Sequence, residues 1–463
     1  MSETTSLRDT LLYQKKNGYD ALSPAEIVTM NDYCEDYKAY LDAGKTEREA
    51  CREAVRLAQA AGFVAYTGQE LKPGNRVYAV NNDRYCILMI AGAAPLSEGF
   101  RLSVAHIDSP RLDLKSVPVY EDSDLCMLKT HYYGGIRKYQ WVATPLAMHG
   151  TVTLRDGSSV EICIGEDAGD PVFTITDLLP HLAQEQGRKP LSEAYTGENL
   201  NVLAGSLPYA DEDSDRIRMT FLSLLHSTYG ITERDLITAE ISLVPAGCAR
   251  DVGLDRSLIG AYGQDDRVCG YAALRALLEQ SGTPENNLIC ILADKEEIGS
   301  EGISGMQSQF FDAFVRRVCH AAGVCADGCI AKSLCLSADV AAAYDPNFSE
   351  AFEKRNSALA NCGVALVKFT GARGKSGSSD ASSELFARIA AIMDEAGVIW
   401  RSGELGRVDL GGGGTVAKFV ANRNIPTIDV GTPVLSMHAP FEVTGKLDCY
   451  MTFKAFDAFN RAK

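Results

Sequence analysis

Two blocks of strand–helix alternation, interrupted by a long stretch of a different pattern, restrict the folds open to this chain more than any other feature of its sequence. In the first block Glu47–Ala61 (EREACREAVRLAQAA) lines small and apolar residues along one helical face. Arg76–Val80 and Tyr85–Ile90 are strand-like runs joined by an Asn-Asn-Asp turn, which reads as a hairpin, and Leu102–His106 reads as a buried strand ending in polar residues. Alternation resumes after Arg250. Helices are expected over Arg267–Gln280, Gln307–Ala322, Asp380–Ala396 and Leu447–Asn460, and strands over Asn287–Leu292, Leu334–Ser337, Val364–Phe369 and Ile425–Val430. This order favours an α/β layer fold with a mixed, mostly parallel sheet flanked by helices.

Between about Val117 and Pro245 the pattern shortens to alternating runs, such as Gln140–Leu146, Gly150–Leu154 and Ser159–Ile164, with turn chemistry at Asp156-Gly157. Glu166–Tyr209 is polar and rich in loop residues. The expected organisation is one α/β domain split over residues 1–112 and 248–463, with a β-rich domain inserted at 113–247. The sheet edges of such an insert need cover, which suggests dimerisation.

Charge excludes some partners. With 45 Lys and Arg against 61 Asp and Glu, the formal net charge is −16, unsuited to nucleic acid or an anionic membrane surface. No apolar run approaches the ~20 residues of a membrane-spanning helix. The opening MSETTSLRDTLLYQKKNGYD is polar and unlike a secretory signal, so a cytoplasmic protein is expected. The 14 cysteines are scattered from Cys34 to Cys449 and read as reduced thiols. The cluster Cys319-His320, Cys325, Cys329 and Cys335 fits no paired Cys-x-x-Cys zinc pattern.

Chemistry concentrates where polar residues follow apolar strands, the edge at which α/β sheets build their sites. Five such places are Val104-Ala-His106-Ile-Asp108-Ser-Pro110, Gly263-Gln-Asp265-Asp266-Arg267, Leu292-Ala-Asp-Lys-Glu296-Glu297-Ile-Gly299-Ser300, Leu336-Ser-Ala-Asp339 and Leu435-Ser-Met-His438. Two histidines, two aspartates and a Glu-Glu pair suit two divalent ions, each with one imidazole and one terminal carboxylate, and a third carboxylate shared. The remaining glutamate would be free to act as a base. Each signal also has a plain structural reading: a hydrogen-bonded His-x-Asp pair, a helix N-cap at Asp265-Asp266, solvated charge at Glu296-Glu297, and a core histidine at His438.

Taken together, His-x-Asp-Ser-Pro, Asp-Asp-Arg, Glu-Glu-Ile-Gly-Ser, Ser-x-Asp-Val and Leu-Ser-Met-His resemble the aspartyl aminopeptidase family of dinuclear zinc peptidases. Tyr133-Gly134-Gly135-Ile136, Pro180-His181-Leu182-Ala183 and Asp429-Val430-Gly431-Thr432-Pro433 add to the likeness, which runs from about Ser103 to Glu442. The resemblance implies two metal ions per subunit, zinc first, with cobalt or manganese as alternatives. It assigns His106, Asp265 and Asp339 to one ion and Asp265, Glu297 and His438 to the other, with Asp265 bridging. Glu296 matches the family's general base, Asp108 the carboxylate that orients His106, and His181 a histidine that reaches a neighbouring subunit's site. It further implies a peptide substrate cleaved at its N-terminal residue, and a homo-oligomer, up to a tetrahedral shell of twelve subunits.

Departures bear on specificity. Ala342 and Asp345 stand where many relatives carry histidines, and Gly412-Gly-Gly-Thr415-Val-Ala-Lys418 replaces a proline-containing segment. Lys368, Arg373 and Lys375 offer charge to an acidic N-terminal residue, or are ordinary solvated loop cations. The leading reading is a metallo-aminopeptidase with a preference for N-terminal Asp or Glu; a neutral or broad preference, a related dinuclear hydrolase and a non-catalytic assembly protein are its alternatives.

Overall fold

Four parallel strands, Asn287–Ala293, Phe100–His106, Leu334–Ala338 and Thr427–Gly431, lie side by side in that order at the centre of the largest sheet. All four are buried along their whole length, as strands covered on both faces must be. The computed structural model describes residues 7, 11, 12 and 17–462. Outward the sheet becomes mixed. Tyr85–Ile90 runs antiparallel to Asn287–Ala293, and Val364–Val367 runs antiparallel to Thr427–Gly431. The architecture is therefore α/β with a mostly parallel centre, as the alternation implied.

Successive side chains of a strand point to opposite faces, and here each face feeds its own core. Leu288, Cys290 and Leu292 join Tyr37, Leu274 and Phe456 under the helices Pro24–Ala43, Gln264–Leu278 and Lys446–Arg461. Ile289, Ile291 and Ala293 pack instead with Phe311, Phe314 and Val318 of the helix Phe310–Ala321. Cys319, Cys329 and Cys335 belong to that second cluster, which accounts for their burial without a metal. All fourteen cysteines are free thiols.

Residues 111–245 form a six-stranded antiparallel sheet in the order Ser159–Ile164, Leu146–Thr153, Glu240–Pro245, Arg111–Asp122, Leu125–Tyr133 and Val202–Gly205. Its own apolar cluster gathers around Trp141, Met148, Leu243 and Phe221. The strand expected over Gln140–Leu146 is absent: a short 3-10 turn at Lys138–Gln140 precedes a strand that begins only at Leu146. Pro145 lacks the N–H a ladder needs, and Trp141 buries its ring beneath the sheet instead of alternating across it. Besides several short helices, two long ones went unread in the sequence. Pro24–Ala43 carries a capping box of Ser23 and Glu26 with proline at its first position, a signal that was present; Arg216–Tyr229 lies within a stretch dominated by strand patterns.

A third sheet joins Arg250–Val252, Leu258–Ala261, Glu442–Gly445, Pro433–Leu435 and Ala341–Ala342. Each of its last four strands lies within a few residues of a candidate ligand, so this small sheet gathers segments from distant parts of the chain. Among the described residues no helix is long and apolar enough to cross a membrane.

His149, on Leu146–Thr153, ties the inserted sheet to the helix Glu47–Ala60. Its ring bonds Glu49 at 2.8 Å and Glu166 at 3.0 Å, and only 3% of the side chain is exposed. Burial by itself would lower the imidazolium pKa, but hydrogen bonds to Cys163, Glu166 and Glu49 overcome it and raise the value from 6.5 to about 11. Folding thus tightens proton binding, so the stabilisation is complete below pH 6.5 and lost as pH rises through about 11. The melting-temperature gap between the native protein and His149→Gln should be widest near pH 6 and close toward about pH 11.

Candidate metal centre

His106 is the last residue of its central strand, and Asp339 is the first residue after Leu334–Ala338. Glu296 and Glu297 occupy a single 3-10 turn just beyond Asn287–Ala293. That turn is framed by Lys295 and Gly299, both left-handed at φ 67° and 98°; the glycine meets this conformation without strain. Asp265 sits at the mouth of the helix Gln264–Leu278, and His438 follows Pro433–Leu435. His106, Asp339, Glu296 and Glu297 therefore emerge at the carboxyl edge of the parallel strands, where Asp265 and His438 meet them from the small third sheet.

Asp265 stands between the two imidazoles. Its Oδ1 is 3.3 Å from His106 Nε2 and its Oδ2 is 3.0 Å from His438 Nε2. Glu297 Oε1 lies 3.4 Å from His438 Nε2, and Glu296 Oε2 lies 3.9 Å from His106 Nε2. Potential ligand atoms of His106, Glu296 and Asp339, of His106, Asp265 and Glu297, and of Asp265, Asp266 and Asp339 each fall within 4.8 Å of one another. The sequence-derived set thus converges, with Asp266 as an added carboxylate.

The outer contacts select the tautomers. His106 Nδ1 is 3.1 Å from the Asp108 carbonyl oxygen and 3.2 Å from its carboxylate, and His438 Nδ1 is 2.8 Å from the carbonyl oxygen of Gly135. Carbonyl oxygens only accept, so Nδ1–H donates in both rings; each Nε2 faces an Asp265 oxygen, carrying the proton shared with it in the imidazolium and offering a lone pair only where a cation takes that proton's place. Glu442, four residues beyond His438, accepts from the backbone N–H of His438 at 2.7 Å and of Asp265 at 3.1 Å. Glu442 was not singled out in the sequence, where it resembles any glutamate of a short strand.

The electrostatics are those of a site short of positive charge. Burial, reinforced by Asp108 and Asp265 and opposed by His106, pushes Glu296 up to about 7. Burial and crowding by Asp265 hold Glu297 well above the carboxylate range, and burial with Glu296 and Asp265 does the same for Asp339. Among the clustered carboxylates that face the imidazole Nε2 atoms, Asp265 is held low, because the two histidines outweigh its burial. Asp265 Oδ1, Glu297 Oε1 and both carboxylate oxygens of Asp266 are buried without a hydrogen-bond donor. Five clustered carboxylates facing two imidazoles, with orphaned oxygens, fit divalent cations, and an all-oxygen and imidazole donor set suits zinc.

A cavity of about 310 Å³ opens onto Asp265, Glu296, Asp339 and His438. Its walls are apolar at Val340, Val367, Phe369 and Met437, and they include Ala342 and the Gly411–Gly414 run. Of the three loop cations only Arg373 lines it. Lys375 pairs with Asp380 at 3.2 Å and covers the Phe369 ring at 3.8 Å, and Lys368 lies outside the lining. Arg407, which the sequence did not suggest, lines it instead, with its guanidinium bonded to the Glu350 carbonyl at 2.9 Å. A larger cavity of about 390 Å³ lies beside the helix Glu47–Ala60, but its arginines are engaged by Glu47, Glu161 and Glu240 and it reaches none of the ligand atoms. His181 is exposed on a turn-rich segment of residues 111–245 and takes no part in the cluster.

A carboxylate–imidazole cluster at the edge of a parallel sheet, opening on a cavity, is the architecture of a metal-dependent enzyme, and comparison with known proteins makes it a hydrolase. The model of the aminopeptidase I zinc metalloproteases (M18) matches residues 40–460. A probable M18 family aminopeptidase 1 of Clostridium acetobutylicum is 44% identical over 97% of this chain and 98% of its own length. Its counterpart in Thermotoga maritima is 44% identical over 96% of this chain and 98% of its own. The crystal structure of a T. maritima M18 aminopeptidase superposes with a TM-score of 0.93, covering 98% of this chain and 100% of that one at 41% identity. The Saccharomyces cerevisiae mApe1 dodecamer shares the fold at a TM-score of 0.74 and 20% identity, over 92% of this chain and 95% of that one. The chain belongs to the M18 family of zinc metalloproteases and is an aminopeptidase.

Proposed function

We propose that this aminopeptidase works through two divalent metal ions, zinc in the first instance, with Glu296 as general base, and that it releases neutral, apolar N-terminal residues. The observation that carries the two-ion reading is Asp265, whose two carboxylate oxygens face different histidines at 3.3 and 3.0 Å. His106 and Asp339 would complete one ion's ligands, and Glu297 and His438 the other's. When bound, such a pair supplies Lewis acidity that polarises the peptide carbonyl, activates water near neutral pH and can take a free α-amino group.

The chain's own residues do the rest. Glu296 has the more open side chain of the pair, 17% exposed against 3% for Glu297, and it faces the cavity. It takes a proton from the attacking water and returns it to the leaving amine. Asp108 holds the proton on His106 Nδ1, keeping Nε2 available as a donor atom. The apolar walls receive the N-terminal side chain. Asp429, buried in the lining and accepting from Thr415 at 3.0 Å, has its carboxyl pushed up to about 7 by burial and brings no cation to that wall for an acidic one. A second reading, preference for N-terminal Asp or Glu, is favoured by Arg373 and Arg407 on the same cavity.

The domain boundaries read at 1–112, 113–247 and 248–463 and the role of the insert in dimerisation belong to the same proposal. Leu178, Leu179, Leu182 and Leu191 are exposed on the insert beside His181, an arrangement that supports a homo-oligomer in which His181 approaches a partner's cavity. A closed shell of twelve subunits is the fullest form of that reading.

A panel of aminoacyl-anilides tests the function. Leu- and Ala-anilides should turn over with added zinc, cobalt or manganese, and amino-blocked forms should not. Asp- and Glu-anilides ranking first would replace the neutral reading with the acidic one.

A further inference from the structure

The inserted sheet meets the metal centre along three consecutive residues. Tyr133 ends the strand Leu125–Tyr133 and pairs across the ladder with Arg111. The Arg111 guanidinium caps the Tyr133 ring at 4.0 Å and is itself held by Glu47 at 3.1 Å and Asp113 at 2.8 Å, so the ring is fixed from outside the site. The Tyr133 hydroxyl donates to Asp108 Oδ2 at 2.7 Å. That fully buried carboxylate also accepts from the backbone N–H of Glu296 at 3.1 Å and of Glu297 at 3.3 Å, besides contacting the His106 ring.

The next two residues continue the contact. Gly134 is left-handed, at φ 76°, a conformation strained for any residue with a Cβ, and a Cβ there would lie 3.2 Å from Glu297 Oε2 and 3.3 Å from Pro110, so a larger residue would press on both. Gly135 accepts from His438 Nδ1 through its carbonyl at 2.8 Å, and a Cβ on it would lie 3.3 Å from the same nitrogen. One short segment therefore touches the outer partner of His106, then Glu297, then the outer face of His438.

We propose that Tyr133-Gly134-Gly135 is a positioning clamp, by which the inserted sheet sets the orientation of both histidine ligands and of the Glu296–Glu297 turn. The proposal rests on the ligand assignment given above. Outer partners of this kind fix ring orientation and ligand basicity, and their loss typically weakens metal binding about 10–100-fold. Tyr133 acts through Asp108 and is a positioning residue.

Tyr133→Phe keeps the ring and its Arg111 contact and removes only the hydroxyl. Zinc affinity, read by chelator competition, should fall about 10–100-fold. The absorption spectrum of the cobalt-loaded protein should shift, kcat should drop with KM little changed, and the metal-free protein should remain folded, with a loss of stability no larger than one hydrogen bond to a buried carboxylate. Gly135→Ala should likewise weaken zinc and alter the cobalt spectrum, whereas Tyr132→Phe, one residue earlier and exposed, should do neither. Native zinc affinity and an unchanged cobalt spectrum in both Tyr133→Phe and Gly135→Ala overturn the clamp. So does a fall in metal-free stability with affinity intact, which marks the tyrosine as purely structural. Zinc bound as tightly by His106→Ala as by the native chain overturns the ligand assignment and the clamp together, and this separates the two failures.

Discussion

Glu296→Gln is expected to lower kcat by about 10²–10⁴-fold while zinc content stays at the native level. The amide preserves the shape of the side chain and its place on the turn, but it cannot take a proton from water. The asymmetry between the two glutamates makes the prediction specific. Glu297 lies 3.4 Å from His438 Nε2 and is 3% exposed, whereas Glu296 is 3.9 Å from His106 Nε2 and opens onto the cavity. Glu297→Gln should therefore lose metal as well as rate. Metal analysis of both purified variants beside their turnover of a Leu-anilide checks the assignment. A Glu296→Gln protein that retains native turnover, or a Glu297→Gln protein that retains both metal and rate, would falsify it.

Asp265→Asn should be the more damaging change to the centre as a whole. It removes the one carboxylate that faces both imidazoles, so metal content should fall below two ions per chain. Activity should drop on the order of a thousandfold, because Lewis-acid stabilisation is worth several kcal/mol and each ~1.4 kcal/mol is tenfold in rate. Stability should respond too. A ligand present at 100 times its Kd stabilises the folded state by about 2.7 kcal/mol per site, and the substitution forfeits part of that. Calorimetry of the native protein with and without chelator, set beside the variant, reads both effects. The chelated native protein and the variant should melt closer together than either does to the loaded protein. An Asp265→Asn protein that keeps two ions per chain would remove the bridging role.

Much of the candidate site was legible before the fold because each candidate ligand is marked locally. His106, Glu296, Glu297 and Asp339 all lie within a few residues of the end of a buried apolar strand, and strand ends are readable from hydropathy alone. Asp265 and Asp266 sit where a helix begins, a position that composition also marks. What stayed hidden was whatever depends on a second segment. Tyr133 and Gly135 stand in a motif that adds to the resemblance, but the tyrosine has no role there until Asp108 is found 2.7 Å from its hydroxyl. Gly135 contributes a carbonyl, which every residue has, and Glu442 contributes a carboxylate from a short strand with no motif of its own. Arg407 replaced Lys368 and Lys375 at the cavity because loop cations are steered by partners such as Glu350 and Asp380, not by sequence neighbours. The strand expected over Gln140–Leu146 failed for a related reason: Trp141 found a tertiary burial site that outweighed local alternation.

The alternation that builds a parallel sheet, the interruption that carries a second sheet, and the inventory of two imidazoles and clustered carboxylates are all written in the order of the residues. These are short-range properties: periodicity, turn chemistry and the kind of residue that follows a strand. Tertiary structure alone decided that His106 and His438, from opposite parts of the chain, turn their Nε2 atoms to the two oxygens of Asp265, and that the end of an inserted strand lies against both. A few ångströms between side chains arise from how sheets twist and pack, and that information is held by the whole core and not by any local run of residues.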